Sequence, residues 1–202
     1  MIAAVVPAAG LSSRMGRAKL ALPLGERTVI ERVVSALHDA GVNPVVVVTA
    51  PHAAELRPIA AAAGASVVVL PSTTADMRET VEHGLRWLAE HHQPTPDDGW
   101  LLAPADHPLL DANVARALCD HFTCDRTKSI VVPIYNGKRG HPVLIDWKHV
   151  AGIRAMPQGQ GIDAYLREHA AETFELHATN PAVLWDLNTP GDYERLRGLT
   201  PS

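Results

Sequence analysis

Five short runs along the chain are almost wholly apolar and end in turn residues: 2–6, 45–49, 66–70, 100–103 and 129–134. Each is too short for an ordinary helix, and none alternates polar with apolar positions as a strand with one wet face would. They predict strands buried on both faces. Between them apolar residues recur at helical spacing. Val29, Ile30, Val33, Val34 and Leu37 form one stripe that stops at Gly41, and Met77, Val81, Leu85 and Leu88 form another that stops before Pro94. This β-α-β-α alternation predicts an α/β protein, a three-layer Rossmann-like fold with a mostly parallel sheet. The last third is less regular, broken by Gly, Pro and single polar residues, with a closing helix expected over 192–196. With no internal repeat, and with 93–99 reading as a surface excursion, one domain over 1–202 is expected.

Composition narrows the function classes. Apolar residues at 47% and charged residues at 20% are ordinary globular usage, which disfavours disorder and fibrous repeats. A net charge of -4, from 18 basic against 22 acidic residues, offers no general attraction for nucleic acid or anionic lipid. Four Trp, three Tyr and two Phe are too few for an obvious base-stacking platform. No stretch approaches the ~18 apolar residues that span a membrane, and no basic residues precede the first apolar run as in a secretory signal. A cytoplasmic protein without nucleic-acid or membrane partners is expected, with Cys119 and Cys124 as reduced structural thiols.

The first run leads straight into Pro-Ala-Ala-Gly-Leu-Ser-Ser-Arg-Met-Gly-Arg-Ala-Lys over 7–19. In an open α/β sheet, ligands bind beyond the carboxyl ends of the strands, and the first such loop is the usual phosphate seat. Small residues let backbone N–H groups approach an anion, hydroxyls add donors, and Arg14, Arg17 and Lys19 supply positive charge. The loop is neither a P-loop nor a G-x-G-x-x-G dinucleotide fingerprint. It suits a nucleoside triphosphate, although a plain Gly/Ser turn with solvated basic residues would read the same way. The run at 100–103 leads into Pro-Ala-Asp-His-Pro-Leu, which sets Asp106 on the same sheet edge. A hard cation bound to phosphates needs a carboxylate there. Capping the next helix falls more naturally to Asp111, which directly precedes it.

Four ordered motifs make the chain resemble the MobA-like nucleotidyltransferases, and within them the molybdenum cofactor cytidylyltransferases. They are A-A-G-x-S-x-R-M-G-x-x-K at 8–19, A-D-x-P-L at 105–109, G-H-P-V-L at 140–144 and D-x-N-T-P-x-D-Y at 186–193. The resemblance implies transfer of a nucleoside monophosphate from NTP to a phosphorylated acceptor, with release of pyrophosphate. It implies that Ala8, Ala9 and Gly10 face the base, with Leu11, Ser12 and Ser13 completing the nucleotide loop. Arg14 and Lys19 then hold the phosphates, Asp106 holds Mg2+ and Asn188 stands as the second metal ligand, with Asp186 nearby. Ala9 stands where guanylyl-transferring relatives carry glycine, so CTP is expected over GTP. The implied acceptor is molybdopterin, with onward delivery to a molybdoenzyme or its chaperone.

Some positions depart from that pattern. Leu70-Pro71 and Asp76-Met77 replace the family's Asn-Pro and Gly-Met, while Thr80 keeps a hydroxyl where serine is common. Among the eleven histidines no H-x-x-x-H or H-E-x-x-H pair occurs, so a histidine metal site is not expected. His141, in a Gly-rich turn, either contacts the acceptor or hydrogen-bonds a backbone carbonyl. Two other classes fit the same motifs: a nucleotidyltransferase for sugar or alcohol phosphates, and a non-catalytic nucleotide-binding regulator.

Overall fold

The computed structural model describes residues 1–10, 15 and 18–200. Its main sheet is built from β1 (Ile2–Ala8), β4 (Val45–Thr49), β5 (Ser66–Val69), β6 (Gly99–Leu102), β7 (Ile130–Tyr135), β8 (Lys138–Arg139), β9 (Val143–Asp146) and β10 (Thr173–His177). The order across the sheet is β10-β7-β9-β6-β1-β4-β5, with β8 paired to β7. Strands β5, β4, β1 and β6 run parallel, as do β7 and β10, while β9 and β8 run against their neighbours. A separate two-stranded ribbon pairs β2 (Pro23–Leu24) with β3 (Arg27–Thr28).

The apolar runs are continuous because the parallel strands are covered on both sides. Ala4, Val6, Val45 and Val47 join one core, and Ala3, Val5, Val46 and Val48 join the other, as the two-residue period of a strand requires. The first core is closed by α1 (Val29–Asp39), α2 (Leu56–Ala62), α4 (Ala112–Cys124) and α7 (Pro190–Leu199). The second is closed by α3 (Met77–His92), α5 (Val150–Arg154) and α6 (Ile162–Glu168). Three layers result, as the alternation predicts. Among the described residues no helix is long and apolar enough to cross a membrane.

Local signals account for the helix boundaries. Thr28 and Glu31 form a capping box at the start of α1, and Thr189 and Asp192 form another at α7, where Pro190 takes the first helical position. Asp111 caps α4 by accepting from the Asn113 amide, the role expected of it. In α3 the buried stripe is Val81, Leu85 and Leu88; Met77 departs from expectation and is 45% exposed. Gly84 lets this helix press onto the sheet, since a Cβ there would lie 2.6 Å from Val5 Cγ1 and 3.0 Å from Val48 Cγ2.

Three expectations need correction. The first strand runs two residues further, to Ala8, and carries the chain directly into the loop. The closing helix is longer than 192–196, since the capping box at Thr189 starts it at Pro190. The irregular last third also contributes three sheet strands, β8, β9 and β10, which the apolar runs did not signal. Neither Cys119 nor Cys124 is in a disulfide, and burial pushes the Cys119 thiol up to about 11, which keeps it protonated and inert at neutral pH.

Candidate active site

Strand β1 has β4 on one side and β6 on the other, and the chain reaches them in opposite directions. At such a switch point the loops beyond the strand ends part and leave a crevice. Here the crevice is a cavity of about 360 Å3 lined by residues 7–10, 73–77 and 104–106, with Lys19, Leu20 and Thr80. Ala8, Ala9, Gly10, Lys19, Thr80 and Asp106 are thus brought together from four separate stretches of chain. Leu11, Ser12, Ser13 and Arg14 lie outside the described residues.

Lys19 is the polar centre of the crevice. It opens a short 3-10 turn, Lys19–Ala21, held down by buried Leu20. Its Nζ donates to Asp106 Oδ2 at 2.8 Å, to the Leu187 carbonyl at 2.7 Å and to Asn188 Oδ1 at 3.1 Å. These three acceptors use every proton of the ammonium. Its side chain is 12% exposed and that of Asp106 27%, so the ion pair is partly shielded from water.

Two backbone connections bring the acceptors into place. The chain beyond β6 keeps pairing with β1, through Ala103 N to Val5 O at 3.1 Å and Ala105 N to Pro7 O at 3.4 Å, which carries Asp106 to the crevice floor. The segment ahead of α7 is then tied to it, the Leu187 amide donating to the Asp106 carbonyl at 2.8 Å. Asn188 Nδ2 donates to Asp186 Oδ2 at 2.5 Å, so its amide is oriented with oxygen toward Lys19 and nitrogen toward Asp186. Asp192 holds this turn from below. Burial disfavours its carboxylate, but hydrogen bonds from Thr189 and from the Asn188 and Thr189 amides keep its pKa below the usual range.

The opposite wall is the start of α3. Thr80 is buried, its hydroxyl 2.6 Å from that of Thr74 and 3.3 Å from the Asp76 carbonyl. The carboxylate at position 76, where the family pattern has glycine, caps the helix by accepting from the Glu79 amide at 2.9 Å. Glu79 replies by accepting from the Ala75 amide at 2.7 Å. The departure from the family pattern therefore has a local use in forming the wall.

His141 stands apart from the residues that line the crevice. Its ring packs edge-on against His107, with centroids 5.0 Å apart, and the Nδ1 of each ring is buried without a partner. Burial, reinforced by the neighbouring His107, depresses His141 to about 4. His107 is lowered too, first by burial and then by Lys19, against the pull of Asp106. Gly140 fixes this turn, because a Cβ on it would lie 2.5 Å from the Val183 carbonyl oxygen. His107, Thr74 and the Leu187 carbonyl are the features that sequence reasoning missed. The polar run at 72–76 before the apolar stripe was a signal for Thr74, whereas a main-chain carbonyl leaves no signature.

Comparison with known proteins agrees with this architecture. Molybdenum cofactor cytidylyltransferase of Escherichia coli (strain K12) is 23% identical over 191 residues, covering 94% of this chain and 92% of that protein. Among solved structures, a nucleotidyl transferase from Methanothermobacter is 27% identical with a TM-score of 0.79, covering 98% of this chain and 97% of the other. Rv0371c from Mycobacterium tuberculosis H37Rv, crystallised in complex with manganese, is 24% identical with a TM-score of 0.74 and covers 98% of both chains. The description of the MobA-like NTP transferase domain matches residues 4–173. With most of its length so matched and its crevice at the expected switch point, the chain belongs to the MobA-like NTP transferase domain family.

Proposed function

We propose that this nucleotidyltransferase transfers CMP from CTP to the phosphate of a molybdopterin-type acceptor and releases pyrophosphate, acting as one domain over 1–202. One observation carries the reading: an ammonium, a carboxylate and an amide oxygen from three distant parts of the chain meet at a crevice of nucleotide size.

In this reading the base lies between the backbone of residues 8–10 and the wall that carries Thr74 and Thr80. Leu11, Ser12 and Ser13 continue the loop around the nucleotide. Arg14 and Lys19 bind the phosphates, and charge that grows on the departing pyrophosphate falls within reach of the Lys19 ammonium. The acceptor phosphate attacks the α-phosphorus in line. The chain supplies charge and alignment rather than a covalent nucleophile, the logic of phosphoryl transfer applied to the α-phosphorus. His141 bears on the acceptor end through His107, which flanks Asp106.

The oxygens around Lys19 also suit a divalent cation. Asp106 Oδ2, Asn188 Oδ1 and the Leu187 carbonyl are hard donors already cradling one positive charge. Among the described residues no cluster of three His, Cys, Asp or Glu side chains could form a cage by itself. This donor set matches Mg2+, which takes one or two carboxylates and leaves the remaining positions to phosphate and water. When bound, Mg2+ would be held by Asp106 and Asn188 and would neutralise negative charge on the phosphates. A manganese complex of the Mycobacterium tuberculosis relative supports a divalent ion here.

The test is pyrophosphate release across four NTPs, with molybdenum cofactor and a sugar phosphate as alternative acceptors. CTP with molybdenum cofactor should give the highest kcat/KM. Faster turnover with the sugar phosphate would replace the molybdopterin acceptor by a sugar, and no turnover with any pair would point to a nucleotide-binding regulator.

A further inference from the structure

We propose that the Lys19 ammonium and the divalent cation compete for one set of oxygens, so that the triphosphate admits the metal by drawing Lys19 away. The inference rests on the reading of Asp106 and Asn188 as metal ligands given above.

Lys19 cannot do two things at once. All three protons of Nζ are committed to Asp106 Oδ2, Asn188 Oδ1 and the Leu187 carbonyl, so none is left for a phosphate oxygen. To bind phosphate, Lys19 must surrender at least one of these bonds. The same oxygens are the donor set a magnesium or manganese ion would use, at ~2.1 Å. An ion on Asp106 Oδ2 and Asn188 Oδ1 would share both oxygens with an ammonium already 2.8 and 3.1 Å from them, and the two like charges would repel across a part-buried site.

Lys19 also offsets the charge of the Asp106 carboxylate and ties it to Asn188. Without it, the Asp106 carboxylate would keep no ion-pair partner among the described residues. The triphosphate brings oxygens that satisfy both cations separately, Lys19 on one side and the metal on the other. Nucleotide and metal should therefore bind with positive coupling, beyond the coupling that direct phosphate coordination provides.

The experiment is a titration with Mn2+ alone, followed by electron paramagnetic resonance, on the full chain without nucleotide. Lys19→Gln should bind Mn2+ at least tenfold more tightly than the unaltered protein. Asp106→Asn should weaken binding in either background. Lysine reactivity reads the same event without mutation: saturating Mn2+ should expose Lys19 to reductive methylation, measured by mass spectrometry.

Unchanged or weaker Mn2+ binding in Lys19→Gln, together with unchanged Lys19 labelling, would overturn the competition. If Asp106→Asn still weakened binding, Asp106 would remain a metal ligand and the proposed function would stand. Mn2+ binding indifferent to Asp106 would overturn both.

Discussion

The Leu187 amide and the Asp106 carbonyl are joined by a 2.8 Å hydrogen bond. The loop after β6 and the segment before α7 are therefore one mechanical unit, and Lys19 reads the position of both through its bonds to Asp106, the Leu187 carbonyl and Asn188. Changes in either segment reach the other.

Loss of the lysine should be costly for the reaction. Preorganised donors to a charge that develops in the transition state are worth ~2.7–4 kcal/mol each. Lys19→Ala is expected to lower kcat/KM by ~100-fold or more in steady-state pyrophosphate release. A loss under threefold would remove Lys19 from the reaction.

The two proposed metal ligands should differ in their response. Asp106→Ala is expected to abolish turnover at any practical Mg2+ concentration, whereas Asn188→Ala should raise the Mg2+ needed for half-maximal rate. Asn188→Asp should lower that requirement, but it also replaces the donor to Asp186 by a second carboxylate oxygen. The metal-free Asn188→Asp protein should therefore melt below the unaltered one, and Mg2+ should restore more of its Tm. Initial rates and thermal melts across Mg2+ concentrations check both, and identical titrations in the two Asn188 variants would assign the second position to Asp186 or to water.

Gly140→Ala tests a position outside the lining of the Lys19 crevice. The added Cβ would meet the Val183 carbonyl at 2.5 Å, where His141 N also donates at 2.9 Å. Overpacking of this kind costs ~1–3 kcal/mol. The urea midpoint should fall, and kcat should fall more than KM rises, because Val183 lies on the segment that delivers Asn188.

Acid should destabilise the protein through His149, buried between Ser129 and Tyr165. Its Nε2 lies 2.8 Å from Ser129 Oγ and its Nδ1 3.0 Å from the Tyr165 hydroxyl, while Ser129 donates to Glu172 at 2.9 Å. The network suits a neutral ring: Tyr165 donates to Nδ1 and Nε2–H donates to Ser129. Burial depresses His149 to about 4, and Lys148 and His169 add to this against the opposing pull of Glu172. With an unfolded value near ~6.5, the unfolded chain binds the proton first. The contribution to stability is thus full above ~pH 6.5 and is lost as pH falls toward 4. Urea unfolding at pH 7.5, 6 and 5 should show this slope, and His149→Gln should flatten it. Equal slopes would assign the acid sensitivity to other groups.

Base choice is testable at Ala9, which lines the crevice. Ala9→Gly should shift the ratio of kcat/KM for CTP and GTP toward GTP, by no more than the ~1–3 kcal/mol a methyl group can provide. An unchanged ratio would move base selection to the Thr74–Asp76 wall.

What could be read from the sequence follows from burial. All five residues of β4 are buried, so its apolar run is uninterrupted and its place in a parallel sheet is legible. Strand β10 is an edge strand with alternate residues wet, and Glu175 and His177 break its apolar signal. Strand β9 runs antiparallel between β6 and β7, and its four residues follow a Gly-His-Pro turn that masks them. In the crevice, the side chains Lys19, Thr80, Asp106 and Asn188 carry motif signals. The Leu187 carbonyl that completes the Lys19 cradle is a main-chain group, and only the three-dimensional path of the chain reveals it.

Gly84 acts as a spacer gauge for the crevice. Its missing Cβ sets how closely α3 approaches Val5 and Val48, and Thr80 sits one helical turn earlier on the same rigid rod. A larger residue at 84 would lift the helix from β1 and carry the Thr80 hydroxyl and the Asp76 turn away from residues 8–10. The slot would open without any change in the groups that line it. Affinity for the proposed nucleotide should thus be tunable from beneath the helix, at a position outside the crevice lining.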